Sequence, residues 1–192
     1  MARSIVVSVG TDFHKFDRLI DWVDNWMIAH GEDVELFVQH GFTRSSPLGE
    51  NVEMLPHAEI LSRFESATAV VLQGGPGGIL DARSVGVVPI VVPRRPHLDE
   101  VKDEHQVAFT RFMAGTDDVV LAEEESALHR ALSAAMTDPQ SMRCAPRVPP
   151  LDETAEALER VVLGVMSRPA GFVRWSRLGS KRTSARRTAR VS

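Results

Sequence analysis

Two periods alternate along the chain. Ser4 to Val9 (SIVVSV) and Val34 to Gln39 (VELFVQ) are nearly continuous apolar, β-branched runs, and each stops at a glycine-containing loop, Gly10-Thr11 and His40-Gly41. Between them Phe16, Leu19, Ile20, Val23, Trp26, Met27 and His30 recur at steps of three and four, one face of a helix that ends near Gly31. The alternation continues with a short strand at Val52–Met54, a helix over Ile60, Leu61 and Phe64, and a strand at Ala69–Leu72. After these come a helix from about Gly78, a strand at Val88–Val92, and a helix over Val101, His105, Ala108, Phe109 and Phe112. A strand at Val119–Leu121 and a helix over Leu128, Leu132 and Met136 complete the series. Continuous apolar strands alternating with amphipathic helices predict a parallel sheet covered on both faces, an α/β, doubly wound, Rossmann-like fold.

Periodicity ends where proline accumulates. Thr137 to Pro150 holds four prolines, so the expected compact domain is residues 1–137, followed by a linker at 138–150. Leu151, Ala155, Leu158, Val162 and Val165 form one stripe of a further helix over 151–168, and residues 169–192 form a basic tail without apolar periodicity, expected to be disordered by itself.

Charge sharpens that division. Eight of the 22 Lys and Arg residues lie from Arg168 onward with no acidic residue among them, so the other 14 face all 26 acidic residues and residues 1–167 carry about −12. The acidic body argues against a nucleic-acid partner. No apolar run approaches the ~18 residues of a membrane span, and the short run before Gly10 reads as a strand rather than a leader. The single cysteine, Cys144, excludes an internal disulfide and suits a reducing compartment, so a cytoplasmic location is expected.

Gln73-Gly74-Gly75-Pro76-Gly77-Gly78 carries the strongest chemical signal. In an open parallel sheet ligands bind beyond the carboxyl ends of the strands, and this loop leads from such an end directly into a helix, whose free N–H groups and positive dipole end suit a diphosphate. No Gly-Lys-Ser/Thr follows and no GxGxxG stands after the first strand, which argues against a Walker loop and a dinucleotide site. His97, Asp99, Glu100, Asp103, Glu104 and His105 read as an acidic helix start rather than a metal cluster, and no metal or other cofactor is expected.

The ordered set "SVGTDFHKFDRLI", "FVQHG", "LQGGPGGILDARSVGVVPIVVPR" and "DEVKDEHQVAFTRF" resembles the nucleotide-sugar-binding half of GT-B glycosyltransferases over about residues 4–136. It is most similar to the short two-component enzymes of glycosyltransferase family 28, whose donor-binding and acceptor-binding halves are separate chains, such as dolichol-linked N-acetylglucosaminyltransferase and bacterial exopolysaccharide transferase subunits. The resemblance implies an inverting, metal-independent transfer of sugar from a UDP-sugar to a lipid-linked acceptor. It also implies activity only with a membrane-anchored acceptor-binding partner, which supplies the catalytic base; no catalytic residue is assigned in this chain.

By the same resemblance Gly10 and Thr11 face the donor diphosphate, and Gln73, Gly74, Gly75, Gly77 and Gly78 form the opposing wall. Asp81 takes the ribose hydroxyls, and Glu100, His105 and Gln106 hold the sugar. The chain departs from the family pattern at Gln73, where His is usual, and at Asp81, where Glu is usual. Those departures motivate a second reading, a non-catalytic nucleotide-sugar-binding module; a third, a nucleotide phosphoribohydrolase, rests on the likeness of GGPGGILDA to that family's Pro-Gly-Gly loop. The basic tail, with Phe172, Trp175 and Leu178 among its arginines, suits an anionic membrane surface, which would make the protein peripheral at the inner face of the membrane.

Overall fold

The computed structural model describes residues 3–147 apart from Glu104, within a compact unit spanning Met1–Pro149. The expected helix at 151–168 and the tail at 169–192 lie outside the described residues. Strands β1 (Arg3–Ser8), β2 (Val34–Gln39), β3 (Glu50–Val52), β4 (Ala69–Gln73), β5 (Ile90–Val92) and β6 (Val120–Leu121) form one sheet. Helices α1 (Asp17–His30), α2 (His57–Ser66), α3 (Pro76–Ser84), α4 (His105–Ala114) and α5 (Glu125–Thr137) cover it. All pairings are parallel, in the order β3-β2-β1-β4-β5-β6. The expected doubly wound, Rossmann-like α/β fold is the one observed.

The strand period of two divides the core. Ile5, Val7, Leu36, Val38, Ala69, Val71, Ile90 and Val92 turn to one face, where they pack with Leu19, Ile20, Val23 and Trp26 of α1 and Leu128, Leu132 and Ala135 of α5. Val6, Phe37, Val70, Leu72 and Val91 turn to the other, against Phe64 of α2, Ile79 and Ala82 of α3 and Met113 of α4. Both faces of the central strands are therefore dry, which is why their sequences read as unbroken apolar runs.

Three expectations are corrected. His30 is exposed at the end of α1, its ring stacked on Trp26 at 5.5 Å between centroids, so the buried stripe stops at Met27. Helix α4 starts at His105, not near Val101, because Pro96–Leu98 forms a 3-10 turn and Asp99 takes a left-handed conformation (φ 55°). Asp99, Glu100 and Asp103 therefore lie ahead of the helix, and His105, Ala108 and Phe112 form its outer side while Thr110 and Met113 turn inward. Lastly, the segment after Thr137 is not a free linker: Met142 is buried, Val88 N–H donates to Met142 O (3.0 Å), Cys144 N–H to Gly86 O (3.0 Å) and Arg147 N–H to Arg83 O (2.9 Å). Proline density there accompanies a bound, irregular strap over residues 138–147, and the compact unit ends at Pro149.

Candidate functional site

Strand β1 has β2 on one side and β4 on the other, so the chain's winding reverses between β1 and β4. That reversal splays the loops apart and leaves a crevice at the carboxyl ends of the strands. A cleft of about 540 Å³ occupies the position, lined by Gly10 and Thr11 after β1, Gln39 ending β2, Gln73 to Asp81 in part from β4 and α3, and Gln106 from α4. Leu55, His57, Ile60 and Phe64, in and just before α2, form its remaining wall. Of the expected site residues, Gly10, Thr11, Gln73, Gly75, Gly77, Gly78, Asp81 and Gln106 line this one cleft.

The glycines answer to different neighbours. A Cβ on Gly74 would stand 2.7 Å from Thr110 Oγ1 and 3.2 Å from Gln106 Cβ, so Gly74 lets α4 close onto the end of β4 and lies behind the cleft rather than in its lining. A Cβ on Gly75 would overlap Gln73 Nε2, and one on Gly10, which has φ +77°, would come within 2.9 Å of the same atom. The Gln73 side chain thus sits between the two loops that flank the crevice. Gly77 has nothing within 4 Å of a Cβ and is open to the cleft.

Helix α3 begins with Pro76 and has no side-chain cap and no acidic residue in its first turn. Its free leading N–H groups, on Gly77 and Gly78, carry the positive end of the helix dipole to the cleft. Nearby, Gln73 Oε1 and Gln106 Oε1 are buried acceptors with no hydrogen-bond partner among the described residues. A buried, unpaired carboxamide oxygen is costly, and a ligand hydroxyl or amide donor in the cleft would satisfy it. The Ser8 hydroxyl donates to Gln39 Oε1, which fixes the amide at the foot of the cleft. Asp81 reaches the cleft from the middle of α3, with its Oδ1 3.0 Å from His57 Nε2.

Glu100 and His105 stand elsewhere. Glu100 is buried and accepts from Arg18 Nε (2.8 Å), Arg18 Nη2 (2.7 Å) and the Arg95 N–H (2.9 Å), which uses its carboxylate to tie the loop after β5 to α1. The His105 side chain is exposed and pairs with Asp103 (2.9 Å). The inward step of α4 falls on Gln106 and Thr110, one residue along from the stripe read in the sequence.

Beneath the β1 loop lies a fully buried arginine. Arg94 donates to Val9 O (2.9 Å), His14 O (2.7 Å) and Glu100 O (2.9 Å), so one guanidinium fixes the backbone on both sides of Gly10-Thr11. Burial lowers its pKa, an effect opposed by the charges of Asp12 and Glu100. Burial acts to raise the pKa of Asp12, but hydrogen bonds from the His14 N–H (2.8 Å) and ring (2.6 Å), with the His14 and Arg94 charges, leave it below the ordinary value. Arg94 stands in the Val-Pro-Arg segment quoted above, yet its inward course has no local signal, since the carbonyls it serves belong to loops up to 85 positions away. His57 and the apolar wall of α2 were likewise missed; their place in the cleft follows from the packing of α2 beside α3.

Comparison with curated proteins finds no match. Among solved structures, Acinetobacter baumannii MurG is 12% identical, with a TM-score of 0.60 over 83% of this chain and 50% of that one. The glycotransferase of kitacinnamycin is 21% identical, with a TM-score of 0.55 over 72% of this chain and 36% of that one. At such identities the likeness is one of fold, and the chain spans about a third to a half of the length of these proteins. Residues 4–160, most of the chain, match the glycosyltransferase family 28 C-terminal domain, and the chain belongs to that family.

Proposed function

We propose that this chain is the donor-binding part of an inverting glycosyltransferase, which holds a UDP-sugar for transfer to a lipid-linked acceptor. The observation that carries the reading is the cleft at the β1/β4 reversal, where an uncapped helix start, a carboxylate and two unpaired carboxamide oxygens meet. Each matches one part of such a ligand. The N–H groups opening α3, with Thr11 opposite, take the diphosphate; Asp81 accepts from the ribose hydroxyls; Gln73 and Gln106 receive sugar hydroxyls; Leu55, Ile60 and Phe64 offer an apolar wall to the base.

Transfer then proceeds by attack of the acceptor hydroxyl on the anomeric carbon as the bond to the diphosphate oxygen breaks. Charge develops on the leaving diphosphate, and the fixed N–H dipoles of α3 stabilise it without reorganising. In this proposal an acceptor-binding, membrane-anchored partner subunit supplies the base that removes the hydroxyl proton. The basic stretch from Arg168 brings the assembly to the anionic cytoplasmic face of the membrane. The departures at Gln73 and Asp81 favour the non-catalytic binding module as the second reading.

The test is product analysis with the acceptor-binding half supplied. Release of UDP together with a glycosylated lipid, absent when either half is omitted, supports the transferase; nucleotide binding without transfer supports the binding module, and release of a free base contradicts both.

A further inference from the structure

His57 opens α2 and Asp81 lies in α3, and the two helices meet so that His57 Nε2 stands 3.0 Å from Asp81 Oδ1 with both side chains on the cleft. A carboxylate only accepts, so Nε2 is the donor in this contact. Oδ2 of Asp81 has no hydrogen-bond partner among the described residues. The arrangement restrains the carboxylate plane through one oxygen and leaves the other, with a second lone pair on the first, for a ligand.

Such a restraint has a use at this position. Asp81 is the acidic residue of the cleft lining, and an unrestrained carboxylate beside a site for an anion is both repelled by that ligand and free to swing from it. A donor on Oδ1 spreads the carboxylate's charge and removes a torsional freedom that binding would otherwise have to freeze. His57 is two-thirds exposed, its side chain at 68%, and makes no other hydrogen bond among the described residues, so packing does not account for its place.

We infer that His57 is a positioning residue, which holds the Asp81 carboxylate to receive the vicinal hydroxyls of a ribose and so sets selectivity for ribonucleoside over deoxyribonucleoside diphosphates. The inference rests on the proposed reading of the cleft as a nucleoside diphosphate site.

The experiment measures affinities of the full chain for UDP and 2′-deoxy-UDP by calorimetry, with His57→Ala, His57→Gln, Asp81→Ala and the double variant alongside. The unsubstituted chain prefers UDP by about tenfold or more, the worth of one charge-assisted hydrogen bond. His57→Ala weakens UDP several-fold and leaves 2′-deoxy-UDP nearly unchanged, so the ratio collapses; His57→Gln, which keeps an N–H donor, restores most of it. In the Asp81→Ala background the loss of His57 has no further effect, the coupling expected of residues that act through one another. A ratio unchanged in His57→Ala overturns the inference while the cleft reading stands. Failure of the unsubstituted chain to bind either nucleotide overturns both.

Discussion

Arg18 and Glu100 form a two-pronged ion pair, Nε to Oε1 at 2.8 Å and Nη2 to Oε2 at 2.7 Å, with Arg18 Nη2 also donating to Pro93 O (3.0 Å). The pair is largely shielded from water and clamps α1 to the loop that follows β5. A carboxylate with three donors already in place has little capacity left for a sugar. Glu100→Gln is therefore expected to lower stability by about 3 kcal/mol, as when one partner of a buried pair is removed. Thermal unfolding measures that loss, and UDP affinity below the transition should change less than twofold. A large affinity loss with unchanged stability would return Glu100 to the ligand.

Gly74 and Gly77 separate packing from access. Gly74→Ala drives a methyl group toward Thr110 Oγ1 and Gln106 Cβ, so it is expected to cost about 1–3 kcal/mol by overpacking. Gly77→Ala meets open space and is expected to keep or slightly raise stability while it narrows the approach to the α3 N–H groups. Unfolding curves and UDP titrations of the two variants should rank them in opposite orders.

The sequence read the fold well because both faces of the sheet are covered. Unbroken runs such as Val34 to Gln39 and the α1 stripe from Leu19 to Met27 are what such burial requires, and β2 falls where its run placed it. Lines of the cleft that are main-chain features were legible too: glycines at strand ends and a loop running into a helix are local. What was illegible depended on tertiary direction. Gln106 and His105 are adjacent in sequence, and the packing of Met113 and Phe109 with the close approach at Gly74 turns Gln106 inward. His57 finds Asp81 24 positions away, and Arg94 reaches Val9 O across the sheet, pairings for which no spacing rule exists. The packing of the segment after Thr137 is illegible for a related reason: a strap held by Gly86, Arg83 and Asp118 has no period of its own.

That strap should be sensitive to acid. Asp118 is buried, accepts from Thr116 (2.7 Å) and from Arg147 (3.0 Å to each oxygen), and pairs with Arg83. The Thr116 hydrogen bond, then Arg147 and the Arg83 charge, outweigh burial and hold its carboxyl below the ordinary value of 3.8. A depressed folded-state pKa gives stability that is complete above the unfolded value and lost as pH falls through the folded one. Hydrogen exchange at residues 143–147 is therefore expected to be flat from pH 7 to about 5, after correction for intrinsic rates, and to rise below about pH 4. Asp118→Asn should expose the strap at neutral pH and flatten the acid response; an unchanged profile in that variant would contradict this role.

The basic stretch from Arg168 is expected to tether the chain to anionic lipid, each Lys or Arg near the surface contributing about 1 kcal/mol. Sedimentation with vesicles containing anionic lipid should retain the full chain at low salt and release it at high salt, whereas a chain ending at Met166 stays in solution. Equal partitioning of the two would remove the stretch as a tether.

The central claim is that the crevice between the β1 and β4 loops is a nucleoside diphosphate site, and calorimetric titration of the full chain with UDP, beside Asp81→Ala, tests it most directly. The predicted result is saturable one-to-one binding that Asp81→Ala weakens by about 1.5–3 kcal/mol, the range for hydrogen bonds to a charged group. Absence of UDP binding at millimolar concentration, or an affinity that Asp81→Ala leaves unchanged, would contradict it.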